Sequence, residues 1–377
     1  MAIRAIVRFI QHESFAGLLL MLAALIALIA DNSPLNYFYS QALQYPLGHS
    51  TVLHFINHSL MTLFFISVGL EIKRELLIGE LNSLKKASLP CFAALGGMLI
   101  PIMIFFTITH AHPLIWHGWA IPMATDIAFS LGIMSLLGKH CPLALKIFLM
   151  ALATFDDLGA IGVIAIFYTV SVNISMLLLV LLSLSLLGLF NAYQVSAISP
   201  YLVAGALLWY FMRQAGIDPA ISGIFIAFSV PLRTKDSHPA ASLEKHLYPL
   251  VTYGVLPLFA FANAGVHLTN IHLSSFTNPL TLGIGLSLFI GKPLGIIFLS
   301  WLAVKCHLAV LPKNINWQQL TGVALLCGVG FTMSLFIGEL AFATMPLSFS
   351  NDYRLGILLG SLGSGIAGYW YLKNGVE

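Results

Sequence analysis

Four charged side chains stand in stretches of sequence that are otherwise apolar: Asp126, Asp156, Asp157 and Lys292. An ionised group at the centre of a membrane helix costs about 2.5–3.5 kcal/mol, so one retained there is a functional candidate. A carboxylate without water or a permanent partner favours its protonated form, and it is also a hard oxygen ligand that suits a hard cation. A proton and a small cation can therefore compete for the same group, which is the basis of ion exchange.

The adjacent pair Asp156 and Asp157 must point in two directions. Neighbouring helical residues lie about 100° apart, so the two carboxylates cannot both face one partner. We expect one to face a water-filled cavity and the other to meet a counter-charge, for which Lys292 is the only mid-membrane cation in the sequence. The alternative is a static bridge between Lys292 and one aspartate that only locks helices together.

Asp126 follows Gly118, Pro122 and Thr125, residues that help a helix to break. A broken helix presents two ends with partial charges of roughly half a unit. Asp126 could offset two opposed helix N-termini, and Lys292 could offset two opposed C-termini. A second interrupting stretch, Gly328–Thr332, lies in a later apolar segment, and paired interruptions indicate a mid-membrane site. Close helix packing explains those later glycines equally well.

The composition requires a surface that faces lipid. Hydrophobic residues make up 59% of the 377 residues and charged residues 8%, with a mean hydropathy of +0.93. A soluble domain carries about 25% charged residues. No charged residue occurs in 87–125 or 158–212, and each run is long enough for two spans of about 20 residues.

Apolar segments bounded by Pro, Gly, Asn and charged residues predict about twelve transmembrane helices. The fold class is therefore an all-α membrane protein, with one polytopic domain over 1–377 and no separate soluble domain. The predicted spans are 8–30, 52–78, 88–109, 115–137, 143–168, 174–192, 197–212, 217–231, 246–265, 281–304, 318–342 and 352–373. The first of these is expected to be an uncleaved helix rather than a signal peptide.

The basic residues agree with this layout. If the N-terminus is cytoplasmic, 14 of the 17 Lys and Arg residues fall inside, Arg213 and Arg354 fall outside, and Lys292 lies within the membrane. Cytoplasmic loops carry an excess of Lys and Arg. We therefore expect both termini in the cytoplasm.

Two charged clusters stand at predicted helix ends, at Gly69–Glu75 and at Glu244–His246. A solvated or salt-bridged helix end is the ordinary interpretation of such clusters. The functional alternative is a charge network that responds to pH near a cytoplasmic funnel.

Other functions find little support in the residues. No Lys/Arg-rich run with interleaved aromatic residues points to nucleic acid, and the thirteen histidines show no metal-binding spacing. The four cysteines are expected to be small buried hydrophobes. An intramembrane aspartyl protease would need a Gly directly before one aspartate, and a channel would need a selectivity motif. A sodium-coupled organic-anion symporter stays open as an alternative carrier.

Several motifs, spread across the chain, resemble those of the NhaA family of bacterial sodium/proton antiporters. They are Val68–Leu76, Ala124–Ala128, Asp156–Ile161, Leu256–Gly265 and Gly291–Gly295. The resemblance implies a twelve-helix fold with an inverted repeat, two discontinuous helices crossing at mid-membrane near Asp126, and a core that moves against a second domain.

The resemblance also implies a function. It implies electrogenic export of Na+ or Li+ in exchange for more than one H+ across the bacterial inner membrane, which regulates intracellular pH and sodium, with no cofactor and no enzymatic reaction. Asp156 and Asp157 would bind the Na+ or Li+ and protons, with Thr125 and Asp126 nearby. Lys292 would pair with Asp156 or carry a proton. A homodimer in the membrane lipid is implied as well.

The same resemblance assigns pH activation to four residues: Glu71, Arg74, Glu75 and Glu244. Four positions depart from the family pattern. Lys245 and Tyr248 stand where family members carry histidines, Asp218 takes the place of another histidine, and His58 takes the place of an acidic residue. These departures affect the expected pH profile rather than the expected transport.

Overall fold

The computed structural model describes residues 13–48, 50–138, 141–169, 173–235, 237–268, 272–312, 315–343 and 345–374. Most of them are helical. The helices are α1 Glu13–Asp31, α2 Asn36–Gln44, α3 Val52–Leu77, α4 Leu84–Thr109, α5 Ile127–Leu136, α6 Leu143–Phe167, α7 Ile174–Ala192, α8 Ser199–Ala215, α9 Ser222–Ser229, α10 over 239–263, α11 Leu273–Phe276, α12 Pro279–Lys305, α13 Trp317–Cys327, α14 Phe331–Ala341 and α15 Leu347–Asn374.

Shorter elements complete the described chain. Three of the helices contain a π-helical segment, namely Ile56–Leu60 in α3, Val251–Val255 in α10 and Ser287–Gly291 in α12. There are 3-10 helices at Glu80–Asn82, Pro113–Met123 and Pro219–Ile221, and an antiparallel pair of strands, β1 Pro46–Leu47 and β2 Ser50–Thr51.

Local sequence explains where several helices begin and end. Asn316 and Gln319 form a capping box at the start of α13, which satisfies backbone N–H groups that have no partner within the helix. Pro200 stands in the first turn of α8, and Gly216 ends that helix with φ +81°. Only glycine adopts this left-handed conformation without strain.

Six helices in the described part of the chain are long and apolar enough to cross a membrane, or nine if each bent pair counts as one span. The bent pairs are α1 with α2, the Pro113–Met123 helix with α5, and α13 with α14. A helix or helix pair lies in each of the twelve predicted segments, but α8, α9 and α10 do not meet the same test. The count of twelve spans stays a prediction.

Two parts of the layout differ from the sequence-based prediction. Helix α10 begins at residue 239 rather than 246, because Pro239 occupies its first turn and is compatible with a helix start. Helix α2 and the strand pair were not predicted, since Asn36–Thr51 is too polar to be a span. The basic residues Arg4, Arg8, Lys139 and Lys313 lie outside the described residues.

The cysteines only partly follow the prediction. Cys141 and Cys327 are buried and Cys91 is half-buried, whereas Cys306 is exposed. The prediction of a buried hydrophobe was wrong for Cys306, because α12 ends there and its cap residue projects beyond the packed helix.

The chain divides into two compact units. The first contains 1–37, 83–160 and 263–377, and the second contains 38–82 and 161–262. This division leaves a single polytopic domain over 1–377 as a prediction.

Glycines bring helices of the first unit into backbone contact. A Cβ on Gly96 of α4 would lie 2.0 Å from the carbonyl oxygen of Gly295 in α12, and the reverse substitution would clash equally. Gly17 of α1 and Gly132 of α5 approach each other similarly. Small residues at such contacts let membrane helices pack closely.

Glycines also bring helices of the second unit into close contact. A Cβ on Gly223 of α9 would lie 2.5 Å from the carbonyl oxygen of Thr62 in α3, and one on Gly69 would lie 2.7 Å from the Cβ of Ala227. Helices α3 and α9 therefore pack with their backbones close together.

Candidate functional site: two interrupted helices and four buried charges

The first interrupted helix consists of the 3-10 helix Pro113–Met123 and α5, which are bent by 47°. Ala124 and Asp126 between them have extended backbone. Pro122 lacks an N–H and so favours an interruption, as the sequence predicted. At the break, the first helix half ends in carbonyl groups and the second begins with N–H groups that have no partner within the helix.

The second interrupted helix consists of α13 and α14, bent by 41°. Its break contains Gly328 and Gly330, which are also tightly packed: a Cβ on Gly328 would lie 2.5 Å from the carbonyl oxygen of Leu288. Both interpretations of these glycines, a helix break and close packing, therefore hold.

The two breaks are hydrogen-bonded to each other. The N–H of Asp126 donates to the carbonyl of Val329 at 2.7 Å. Ser130 of α5 donates to the carbonyl of Leu326 at 2.9 Å, and Ser334 of α14 donates to the carbonyl of Ile121 at 2.7 Å. Each second half thus satisfies a carbonyl at the end of the other helix's first half.

Asp126 accepts hydrogen bonds from two helix N-termini. It caps α5 by accepting from the N–H of Phe129 at 2.9 Å. Its other oxygen accepts from the N–H of Thr332 at 3.0 Å and from the Thr332 hydroxyl at 2.6 Å, in the first turn of α14. With 2% of its surface exposed, this carboxylate offsets both positive helix ends, as the sequence predicted.

Lys292 follows the π-helical segment of α12 and is fully buried. Its ammonium donates to the carbonyl of Met123, the last residue of the first helix half. It also lies 3.0 Å from Oδ2 of Asp156. We predicted that Lys292 offsets two C-termini, but it contacts only one; the carbonyl of Cys327, at the end of α13, accepts instead from the Thr125 hydroxyl at 3.1 Å.

Asp156 and Asp157 lie on α6 with 0% and 1% of their surfaces exposed. Oδ2 of Asp156 meets Lys292 and also accepts from the Thr125 hydroxyl at 2.7 Å. Oδ1 of Asp156 is buried and accepts no hydrogen bond from the described residues. Oδ1 of Asp157 is likewise buried without a hydrogen bond from the described residues, so the two aspartates differ in that Asp156 meets the counter-charge.

The chemistry of these groups suits an alkali cation better than a transition metal. No group of three His, Cys, Asp or Glu side chains in the described chain is placed to hold a metal. Carboxylate, hydroxyl and carbonyl oxygens are present instead, and these are ligands of hard cations. One lysine and three aspartates also leave excess negative charge for a cation or protons to offset.

Comparison with known proteins agrees with this geometry. The sequence profile of the family "Na+/H+ antiporter 1" matches residues 7–372. The chain belongs to this family. A Na(+)/H(+) antiporter NhaA of Shewanella pealeana is 47% identical, with 98% of this chain and 97% of the relative covered. The Na(+)/H(+) antiporter NhaA 2 of Pseudomonas syringae pv. syringae is 49% identical, with 99% and 95% covered.

A solved structure supports the fold. The sodium proton antiporter MjNhaP1 of Methanocaldococcus jannaschii matches with a TM-score of 0.54 over 99% of this chain and 97% of that one, at 15% identity. The family profile and the relatives at 47% and 49% identity confirm the resemblance to the NhaA family. With its apolar helices, this family member is a multi-pass membrane protein.

The structure also brings together most of the residues that we assigned to pH activation. Arg74 of α3 forms ion pairs with Glu244 of α10 and, at 3.3 Å, with Glu75. Glu71 lies one turn before Glu75 on the same helix. The paired side chains are 20% to 38% exposed, so water partly screens the attraction between their charges.

The sequence did not reveal two other buried polar groups. Lys73 is buried and donates to the carbonyls of Phe228 and Val230, both at 2.6 Å. His58 lies 3.3 Å from Asp218, so two of the positions noted only as departures from the family pattern contact each other. The sequence did contain a signal for this pair, because an acidic residue and a histidine have exchanged positions relative to the family pattern.

Proposed function

We propose that this family member exports Na+ or Li+ in exchange for more than one H+, with Asp156 and Asp157 as the groups for which cation and protons compete. The observation that carries the proposal is the burial of both carboxylates beside two interrupted helices. Removal from water disfavours a lone negative charge, which either a proton or a cation can relieve.

The role of Lys292 follows from its contact with Asp156. In the cation-free form, the ammonium neutralises Asp156 while Thr125 donates to the same oxygen. A Na+ that binds Asp156 and Asp157 then competes with the ammonium for Oδ2. Loss of the Lys292–Asp156 contact and loss of protons from the site would accompany cation entry, which makes exchange electrogenic when more than one proton leaves.

The finer architecture forms part of the proposal. The reciprocal serine hydrogen bonds between the breaks support a crossing of the two interrupted helices at mid-membrane. Twelve spans and an inverted repeat are expected from the family resemblance. The distribution of Lys and Arg supports cytoplasmic termini in a bacterial inner membrane. A homodimer stays an expectation from the family resemblance.

A sodium-coupled organic-anion symporter fits less well. The relatives are named as Na(+)/H(+) antiporters. The buried site contains carboxylates and a single lysine, Lys292, rather than the paired cations that an organic anion would need. No catalytic reaction is proposed for these residues.

Proteoliposomes with an imposed pH gradient test the proposal. Addition of Na+ or Li+ should collapse the gradient, and the Asp157→Asn variant should abolish this while the protein stays in the membrane. Thr154→Val is the matched control, because this buried hydroxyl on the same helix bonds only to the carbonyl of Met150. Normal exchange by Asp157→Asn would refute the site, and uptake of a labelled organic anion with Na+ would favour the symporter.

A further inference from the structure

A lipid-facing groove lies in the first unit between α1, α5 and α15. It encloses about 280 Å³ and is lined almost entirely by apolar side chains, among them Met21, Ile133 and Ile366. Ser361 lies at its inner end, where its hydroxyl accepts from the N–H of Phe331 and is therefore already satisfied. The groove is chemically suited to hydrocarbon.

Glycines let the helices around the groove approach each other closely. Gly17 and Gly132 bring α1 and α5 together. Gly365 of α15 also lies close to α5, since a Cβ there would lie 3.0 Å from Cδ1 of Ile133. Ile366 and Trp370 are 60% and 68% exposed, and on a membrane-spanning helix such apolar side chains face lipid.

One end of the groove is flanked by two lysines. Lys373 lies over the ring of Tyr369, which lines the groove, with its ammonium 5.8 Å from the ring centroid. Lys146 donates to the Ser135 hydroxyl at 3.3 Å, and the next residue, Leu136, lines the groove. No acidic residue occurs in 127–138 or 355–374, whereas α1 begins with Glu13. Tyr369 and Trp370 are of the type that stands at the lipid headgroup level.

We propose that this groove binds one acyl chain of an anionic phospholipid, whose phosphate lies beside Lys146 and Lys373. The apolar walls bind the chain of any phospholipid. The two lysines favour a negatively charged headgroup. Each lysine near an anionic lipid surface strengthens binding by about fivefold.

The bound chain would touch the helices that carry the buried site. Phe129 lines the groove, and its ring lies 5.6 Å from the ring of Phe331. These two residues stand in the first turns of α5 and α14, whose N-termini Asp126 caps. Occupancy of the groove therefore supports the position of both second helix halves.

Quenching of Trp370 by lipids with brominated chains tests the proposal. The protein is reconstituted in mixtures that contain brominated phosphatidylglycerol or brominated phosphatidylcholine, and the Trp370 signal is the difference between the native protein and Trp370→Phe. We expect phosphatidylglycerol to bind beside Trp370 with a preference of about fivefold or more. The double variant Lys146→Gln/Lys373→Gln should reduce this preference to about one.

Trp301 provides the matched control. Lys305 lies 4.6 Å from the Trp301 ring centroid, so this pair has the same chemistry outside the groove. Lys305→Gln should leave the preference at Trp370 unchanged, and the Trp301 signal should show a weaker preference. Gly365→Leu, which fills the groove but keeps both lysines, should lower the preference as well.

Three results would overturn the proposal. They are equal quenching of Trp370 by both lipids, an equal preference at Trp301 and Trp370, and a preference that survives in the double lysine variant. Thermal melting of each variant in detergent verifies that the protein is folded. Since no transport is measured, the outcome is independent of the function proposed for the aspartates.

Discussion

Lys292 and Lys73 are both buried lysines that donate to backbone carbonyls at the end of a helix. Lys73 bonds only to carbonyls in the contacts described above, those of Phe228 and Val230 at the end of α9. Lys292 bonds to the carbonyl of Met123 and also pairs with the carboxylate of Asp156. A buried lysine on carbonyls alone caps a helix, whereas one that shares a carboxylate belongs to a centre whose net charge can change.

The largest expected effect separates these two lysines directly. Lys292→Met breaks a buried ion pair, which costs about 3–5 kcal/mol of stability, and Na+-driven proton exchange should fall sharply. Lys73→Met removes a helix cap, so it should cost only about 1–2 kcal/mol and leave exchange in place. Thermal unfolding and exchange in proteoliposomes measure both quantities. Equal loss of exchange in the two variants would remove the distinction.

Asp126 sharpens the comparison, because it too joins helix ends by a buried charge. Asp126→Ala removes the caps of α5 and α14 and should cost about 2 kcal/mol, at about 1 kcal/mol for each cap. Exchange should weaken because the first helix half and Thr125 lose their fixed position. Thr332→Val, which removes one hydroxyl donor and keeps the charge, is expected to cost about 1 kcal/mol. If Thr332→Val loses as much stability as Asp126→Ala, Asp126 does not cap two helices independently.

A substitution at Thr125 tests a single hydrogen bond to Asp156, the carboxylate that pairs with Lys292. Thr125→Val keeps the shape but removes the hydroxyl that donates to Asp156 and to the carbonyl of Cys327. A loss of about 1 kcal/mol corresponds to about a fivefold change in the KM for Na+. The KM should not change in Thr154→Val, whose hydroxyl bonds only within its own helix turn. A KM that stays the same in both variants would exclude Thr125 from the cation site.

The smallest effect is expected at the exposed charge cluster. Glu244→Gln removes one partner of Arg74, and a partly exposed ion pair contributes about 0.2–1 kcal/mol. The maximal exchange rate should stay unchanged. The midpoint of the pH profile should move to lower pH by less than one unit, since one negative charge fewer makes proton loss from neighbouring acids easier. Lys245→Gln is the control, and the shift should shrink at high salt. A lost maximal rate would place Glu244 in the transport path.

The sequence predicted well those features that depend on a single residue and its immediate context. All four charges in apolar segments, Asp126, Asp156, Asp157 and Lys292, are buried, because the exposed surface of such a segment faces lipid, where an ionised group is costly. Pro122 and the glycines near residue 328 predicted the two helix interruptions for the same local reason. The sequence also predicted that Asp126 offsets two N-termini.

Partners that are distant in sequence could not be predicted. Thr332 reaches Asp126 across 206 residues, and nothing in a threonine's own surroundings indicates that contact. The carbonyl at the end of α13 is satisfied by Thr125 rather than by Lys292, a choice that depends on atomic positions. Lys73 stood among charged neighbours, so its sequence context suggested an exposed residue. Exact packing decides such contacts, whereas composition decides only that a partner is needed.

The contact between Gly96 and Gly295 limits how Lys292 can be displaced. Where two backbones touch, no side-chain rotamer lies between them that could relax and let one helix slide along the other. Helix α12 carries Lys292 only three residues before Gly295, so it cannot shift along α4 by itself. During a transport cycle, the ammonium can leave Asp156 through rotation of its own four-carbon stem, or else α4 and α12 must travel as one rigid pair.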